Sequence, residues 1–320
     1  MPKPMIAKVA HKVESWVDGF RKAKRVPAWI DPYVGYATQT QLIVRGRVMG
    51  RSSPKAAIDG QSRWRNFYQM LRLFLTYEVA GVPVHSGEIE SISDEEGYFT
   101  LTLPRDGQVG LIEVSVQTEQ GITANCPVVV PRDGAARGII SDIDDTMIAT
   151  GAYSLWRNIF TSMTGNALTR IVFDDAARLL TVLGGPVFFV SSSPWNLHGF
   201  LDDVFERAGL PVAPKFLRDY GISPTQFITG THGDHKGAAI DAILGAQPDL
   251  PFVLIGDTGQ HDAEVYLDAI KRHPNRVEHV ILRHAGKVDD LDRNHMAAIV
   301  KTGVPVTVGA DYAEAIAHFS

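Results

Sequence analysis

The sequence predicts an α/β chain in two parts. A β-sandwich-like accessory domain spans 31–130, and a parallel-sheet domain with helices spans 131–320. Three observations carry this. Between Thr40 and Val130 short apolar runs recur between turn residues, the spacing of antiparallel strands. After Pro131–Arg137 the rhythm changes to apolar strands alternating with helical stretches, as in βαβ units. Several apolar runs of the second part stop abruptly in polar residues. That is how buried parallel strands deliver side chains to their C-terminal edge, where ligands bind in open α/β sheets.

Residues 1–30 precede both parts. Met5, Ile6, Val9, Val13, Trp16, Val17 and Phe20 follow helical spacing and form one apolar stripe among seven lysines and arginines. Such a helix packs on a neighbouring domain or lies on an anionic membrane surface. Pro27 ends it.

In the accessory domain, residues 40–49, Val82–Val84, Gly87–Ile92, Tyr98–Leu103, Leu111–Val116 and Ile122–Val130 read as strands, and 62–76 as a helix. Asp94-Glu-Glu-Gly97 is a turn leading into clear alternation. The turn resembles those of transthyretin-like and immunoglobulin-like modules. No chemical constellation occurs here, so a binding role and a structural one both remain open.

In the second domain the strands are Ile139–Ile140, Val187–Val190, Phe252–Ile255, Val277–Leu282 and Val304–Val308, with helices near 174–183, 195–208, 236–246, 262–272, 292–301 and 311–319. The connection Thr150–Gly185 is longer than a tight βα turn needs. Trp156, Ile159, Phe160 and Met163 fall at near-helical spacing within it, beside Arg157. This is a lid whose apolar face meets an acyl chain, or a helix packed on the sheet.

Charge narrows the partners. The chain has 31 Lys+Arg and 36 Asp+Glu, net -5. Residues 1–136 hold 16 basic and 14 acidic residues (+2), leaving 15 and 22 (-7) for the rest. An acidic half is a poor nucleic-acid surface. No apolar run approaches a membrane span and the N-terminus lacks a signal-peptide core. The single cysteine, Cys126, reads as a core residue and fits a cytoplasmic protein.

The chemistry begins at Gly138-Ile-Ile-Ser-Asp142-Ile-Asp144-Asp145-Thr146. On an extended strand Asp142 and Asp144 share a face. Crowded carboxylates repel unless a cation sits between them, and hard oxygen ligands suit Mg²⁺. One carboxylate would attack phosphorus while the other handles a proton. An Asp-rich turn capping a helix fits the same residues. Val190-Ser191-Ser192-Ser193-Pro194 ends another strand at a hydroxyl, Ser191, which with nearby N–H groups suits a phosphate oxygen or is an ordinary helix cap. Lys236, near a predicted helix N-terminus, opposes the dipole and so suits an anion, or is a solvated lysine. Ile255-Gly256-Asp257 ends a third strand, with Asp262 five residues on. These acids complete a Mg²⁺ shell or stabilise a helix start.

The ordered set resembles the haloacid-dehalogenase-like phosphohydrolases. The resemblance implies Asp142 as nucleophile, Asp144 as general acid/base, and Thr146, Ser191, Ser192 and Lys236 as substrate-binding residues. It places Mg²⁺ on Asp142, the Asp144 main-chain carbonyl and Asp257, with Asp262 nearby. More narrowly, Ser141–Thr146, Val190–Trp195, Leu217-Arg-Asp219 with Gly221-Ile222, His235-Lys236 and Ile255–Tyr266 look like the catalytic domain of the actin-patch-associated phosphatidate phosphatase family. The chain departs from that pattern at Ser192, where Asn is expected, and at Ala263, where Pro is expected. The resemblance implies Mg²⁺-dependent hydrolysis of phosphatidate to diacylglycerol, and the basic N-terminal helix allows peripheral contact with a membrane. The alternatives are a phosphatase of a soluble phosphomonoester and a catalytically inactive lipid- or protein-binding module.

Overall fold

The computed structural model describes residues 26–50, 78–132, 134–149, 172–218, 232–284 and 290–320. The expected N-terminal helix, the helix over 62–76, the lid residues 156–163, and Asp219, Gly221 and Ile222 lie outside these.

Seven strands form the first part: β1 (Trp29–Ala37), β2 (Gln41–Met49), β3 (Pro83–Ser86), β4 (Ile89–Ile92), β5 (Tyr98–Pro104), β6 (Gly110–Thr118) and β7 (Thr123–Val130). They hydrogen-bond as one sheet, in the order β4-β3-β6-β7-β1-β2-β5. All neighbours are antiparallel except β1 and β7. The two ends of this order are consecutive in sequence. In a flat sheet six spacings would hold β4 and β5 about 29 Å apart. The steps from Ile92 to Tyr98 reach at most about 22 Å. The sheet therefore curls until its ends meet, around a core of Val44, Val84, Phe99, Leu101, Cys126 and Val128. The connecting turn is built as its residues require. Asp94 Oδ1 accepts from the Glu96 and Tyr98 amides, and Gly97 takes φ +83°, where a Cβ would stand 2.6 Å from the Val48 carbonyl.

The second part is a six-stranded, wholly parallel sheet. Its strands are β8 (Gly138–Asp142), β9 (Val187–Pro194), β10 (Lys215–Arg218), β11 (Phe252–Asp257), β12 (Val277–Arg283) and β13 (Val306–Gly309), in the order β10-β9-β8-β11-β12-β13. Its helices are α1 (Ala176–Leu183), α2 (His198–Arg207), α3 (His232–Ala246), α4 (Asp262–Arg272), α5 (Asp290–Lys301) and α6 (Ala313–Phe319). One core joins α1, α2 and α6 to Ile139, Phe189 and Ile255. The other joins α3, α4 and α5 to Ile140, Phe188 and Leu254. Adjacent residues of one strand thus face opposite cores, so the strands read as unbroken apolar runs. The strand order reverses between β8 and β11, the switch point at which a doubly wound sheet opens a crevice.

Three features differ from expectation. β1 contains Pro32 and Gly35, which weaken a strand signal, and its register with β2 shifts between Tyr33 and Tyr36. Gly35 is required there: a Cβ would lie 2.1 Å from the Ile43 carbonyl oxygen. β10 is a four-residue edge strand with two apolar residues, too short for periodicity to show. β9 does not stop at Val190. It continues to Pro194, and a single 3-10 turn, Trp195–Leu197, precedes α2.

Candidate active site

β8 ends at Asp142, and the chain then folds tightly on itself. The Met147 and Ile148 amides both donate to the Ile143 carbonyl, and Asp145 adopts φ 56°. This turn sends the two aspartates into different surroundings, which a continued strand would not do.

Asp142 enters an acidic cluster at the switch point. Asp142, Asp257 and Asp262 are buried, with one carboxylate oxygen from each lying within 4.8 Å of the others. Asp257 ends β11 and Asp262 begins α4, and they are joined by a hydrogen bond from the Asp257 amide to Asp262 Oδ2 at 3.1 Å. Gly256 permits this approach, since a Cβ there would stand 2.5 Å from Asp262 Oδ2. His261, in the left-handed region, turns the chain into the helix. Tyr266, one turn along α4, donates to the Ile255 carbonyl at 2.7 Å and ties helix to strand. Lys236 supplies the compensating charge: Nζ is 2.8 Å from Asp142 Oδ1 and 2.5 Å from Asp262 Oδ1. It lies inside α3, not at its N-terminus, and is buried.

Burial pushes the Asp142 carboxyl well above the usual range. Lys236 opposes this and the neighbouring aspartates add to it. Asp257 is pushed up to about 8, by burial and then by Asp262. For Lys236 burial works against the charge, but Asp142 and Asp262 outweigh it and raise the pKa. Among the described residues three buried carboxylates thus gather around one ammonium, which touches Asp142 and Asp262. Among the described residues Asp142 Oδ2 and Asp257 Oδ2 are buried and accept no hydrogen bond. Hard oxygen donors with excess negative charge, spaced like one coordination shell, fit a divalent cation.

Asp144 turns instead toward β9. Its Oδ2 accepts from Ser191 Oγ at 2.7 Å and Ser193 Oγ at 2.9 Å. Burial raises this carboxyl and the two hydroxyls pull it back. The Asp144 main-chain carbonyl accepts from Gln260 Nε2 at 3.0 Å. Thr146 is buried in the same turn, where its carbonyl accepts from Tyr312 Oη at 2.8 Å and its Oγ1 makes no hydrogen bond among the described residues. Strand alternation places Ser192 on the face opposite Ser191 and Ser193.

Asp142, Lys236, Asp257 and Asp262 therefore meet in one cluster, with Asp144, Ser191 and Thr146 on its β9 and loop side. Sequence reasoning missed Ser193, although the i, i+2 relation to Ser191 marks it. It also missed Gln260, Tyr266 and Tyr312. Of these, Tyr266 alone has a local signal, four residues from Asp262 on one helix face.

Residues 137–284 match the family model described as the catalytic domain of phosphatidate phosphatase APP1. Phosphatidate phosphatase APP1 of Saccharomyces cerevisiae is 31% identical over 150 residues, 46% of this chain and 25% of that protein. An uncharacterized protein of Schizosaccharomyces pombe is 30% identical over 159 residues, 48% of this chain and 26% of that protein. The match thus spans about a quarter of the length of these curated relatives. A solved 2,6-sialyltransferase of Photobacterium sp. JT-ISH-224 has 10% identity and a TM-score of 0.23, over 78% of this chain and 40% of that one, too low to bear on the fold. The match encloses every strand end that carries Asp142, Ser191 and Asp257, so residues 137–284, site included, are similar to the catalytic domain of the APP1 phosphatidate phosphatase.

Proposed function

We propose that the chain hydrolyses phosphomonoesters through an aspartyl-phosphate on Asp142, in the manner of haloacid-dehalogenase-like enzymes, and that phosphatidate is its substrate. One observation carries the chemistry: a buried aspartate and a half-buried one, two residues apart, stand in opposite environments. Asp142 faces an ammonium and a cation-fitting acid cluster, while Asp144 is held by two hydroxyls. Pairs of carboxyls with divergent surroundings divide nucleophilic from acid/base work.

In the first step an Asp142 oxygen bonds to phosphorus as the ester oxygen departs and takes a proton from Asp144. In the second, water attacks phosphorus, Asp144 takes its proton, and the bond to Asp142 breaks to release phosphate. Lys236 holds Asp142 in place and meets negative charge at the reacting phosphoryl group. Asp142, Asp257 and the Asp144 carbonyl would hold Mg²⁺, with Asp262 orienting them. The ion supplies the charge that lets two anions meet. Ser191, Ser193 and Gln260 fix Asp144 at its carboxylate and its carbonyl.

The lipid assignment is supported by the domain match and by the yeast relative, a phosphatidate phosphatase by name. It is tested by phosphate release from phosphatidate in mixed micelles and from a panel of soluble phosphomonoesters, with Mg²⁺ or EDTA, beside Asp142→Asn. Mg²⁺-dependent release chiefly from phosphatidate, lost in the variant, is the expected result. Release only from a soluble ester removes the lipid assignment, and substantial activity in Asp142→Asn removes the nucleophile.

A further inference from the structure

We propose that the curled β-sheet is a positioning element of the active site, acting from Tyr33 through Trp195 on the serines that hold Asp144. The catalytic part rests on the phosphatase reading above; the mechanical coupling does not.

The contact falls at the end of β9. Ser193 donates to Asp144, and Trp195 follows two residues later. The Trp195 ring stacks on Tyr33 of β1, with centroids 4.6 Å apart and planes 13° apart. The Arg45 guanidinium of β2 lies 5.7 Å from the same ring and donates to the Lys215 carbonyl of β10 at 3.2 Å. His198, which opens α2, meets Tyr33 edge-on at 4.3 Å, and its Nε2 lies 3.4 Å from Asp31 Oδ2. The turn that follows the serines is therefore gripped from two strands of the other sheet.

Within its own domain the segment is held by packing, with Leu197 buried and Trp195 against the core, and not by a cap. Neither the 3-10 turn nor α2 begins with a side-chain cap, and the register of β9 with β10 shifts between Phe216 and Arg218. An uncapped turn after an irregular strand takes its position from tertiary contact. Ser191 and Ser193 lie between that contact and Asp144, and the Ser193 amide itself donates to Ser191 Oγ at 2.9 Å. A small displacement of Trp195 therefore moves the hydroxyls that aim the acid/base, and such displacements cost rate disproportionately.

Tyr33→Ala and Tyr33→Phe in the full chain test this, since phenylalanine keeps the stack. Hydrogen exchange is read over residues 189–197, with a β12 peptide as internal reference. Turnover is read on whichever phosphomonoester the wild type hydrolyses fastest, phosphatidate in mixed micelles included. In Tyr33→Ala, exchange over 189–197 rises at least about tenfold with β12 unchanged. Its kcat falls at least about tenfold with KM within about threefold, while Tyr33→Phe stays within about twofold on both. Tyr33→Leu replaces the alanine variant if circular dichroism shows the latter unfolded. Unchanged exchange in Tyr33→Ala, unchanged kcat against an active wild type, or a phenylalanine variant as impaired as alanine each overturns the proposal. A wild type inactive on every phosphomonoester removes the phosphatase reading instead, and the exchange comparison alone then decides the coupling.

Discussion

Lys236 Nζ stands 2.8 Å from Asp142 Oδ1, and both side chains are buried. An ammonium taken out of water needs partners, and so does the carboxylate it faces.

Removing the lysine leaves the aspartates uncompensated. Lys236→Met is expected to cost about 3–5 kcal/mol in denaturant unfolding of the metal-free protein. It is also expected to lower kcat by about 10² or more. Lys236→Arg, whose planar fork cannot occupy the space of a compact ammonium, should not restore turnover.

Asp257→Asn separates metal binding from folding. Asp257 is pushed up to about 8 because burial and Asp262 disfavour its charge. The neutral amide should therefore leave the EDTA-treated protein about as stable as wild type at pH 7. In wild type, Mg²⁺ at a hundred times its Kd should raise stability by about 2.7 kcal/mol. A thermal shift titration checks both: the rise with Mg²⁺ should vanish in Asp257→Asn. A full rise in that variant would remove Asp257 from the site.

Gly256→Ala probes the close approach of β11 to α4. The added Cβ would meet Asp262 Oδ2 at 2.5 Å and Tyr266 Oη at 2.8 Å. Overpacking of this kind costs about 1–3 kcal/mol. It also displaces Asp262 from the Asp257 amide, so kcat should fall at least about tenfold. Urea unfolding and initial rates measure the two effects.

His279 gives a pH dependence away from the site. Burial, then the neighbouring His318, lower its pKa to about 4, and its Nε2 lies 2.8 Å from Thr307 Oγ1. The folded pKa is below the unfolded value, so between about pH 6.5 and 4 the unfolded chain binds the extra proton. Its contribution is full above 6.5 and is lost as pH falls through that window. Urea midpoints across the window should decline less steeply in His279→Gln than in wild type. Parallel declines would remove His279 from the acid sensitivity.

Element type was legible wherever periodicity was long. α4 spans Asp262–Arg272, as its acidic start and apolar spacing predict. β11 extends its apolar run through Gly256 to Asp257. β1 and β10 escaped for opposite reasons: one carries Pro32 and Gly35 within its run, and the other is too short to show a period. Asp142, Asp257 and Asp262 stood out because each lies where an apolar run stops or a helix begins. Gln260 and Tyr312 did not, because each bonds a main-chain carbonyl more than a hundred residues away.

The sequence by itself determined the change from short antiparallel strands to a parallel sheet with helices, and the acids and hydroxyls delivered to the ends of the parallel strands. These follow from local patterning, since burial on one or both faces sets the alternation of a strand. Tertiary structure alone decided that Asp142 and Asp144 part company, that Lys236 bridges Asp142 and Asp262, and that Tyr33 stacks on Trp195. Those contacts depend on strand order and on how two sheets meet, and neither leaves a period in the chain.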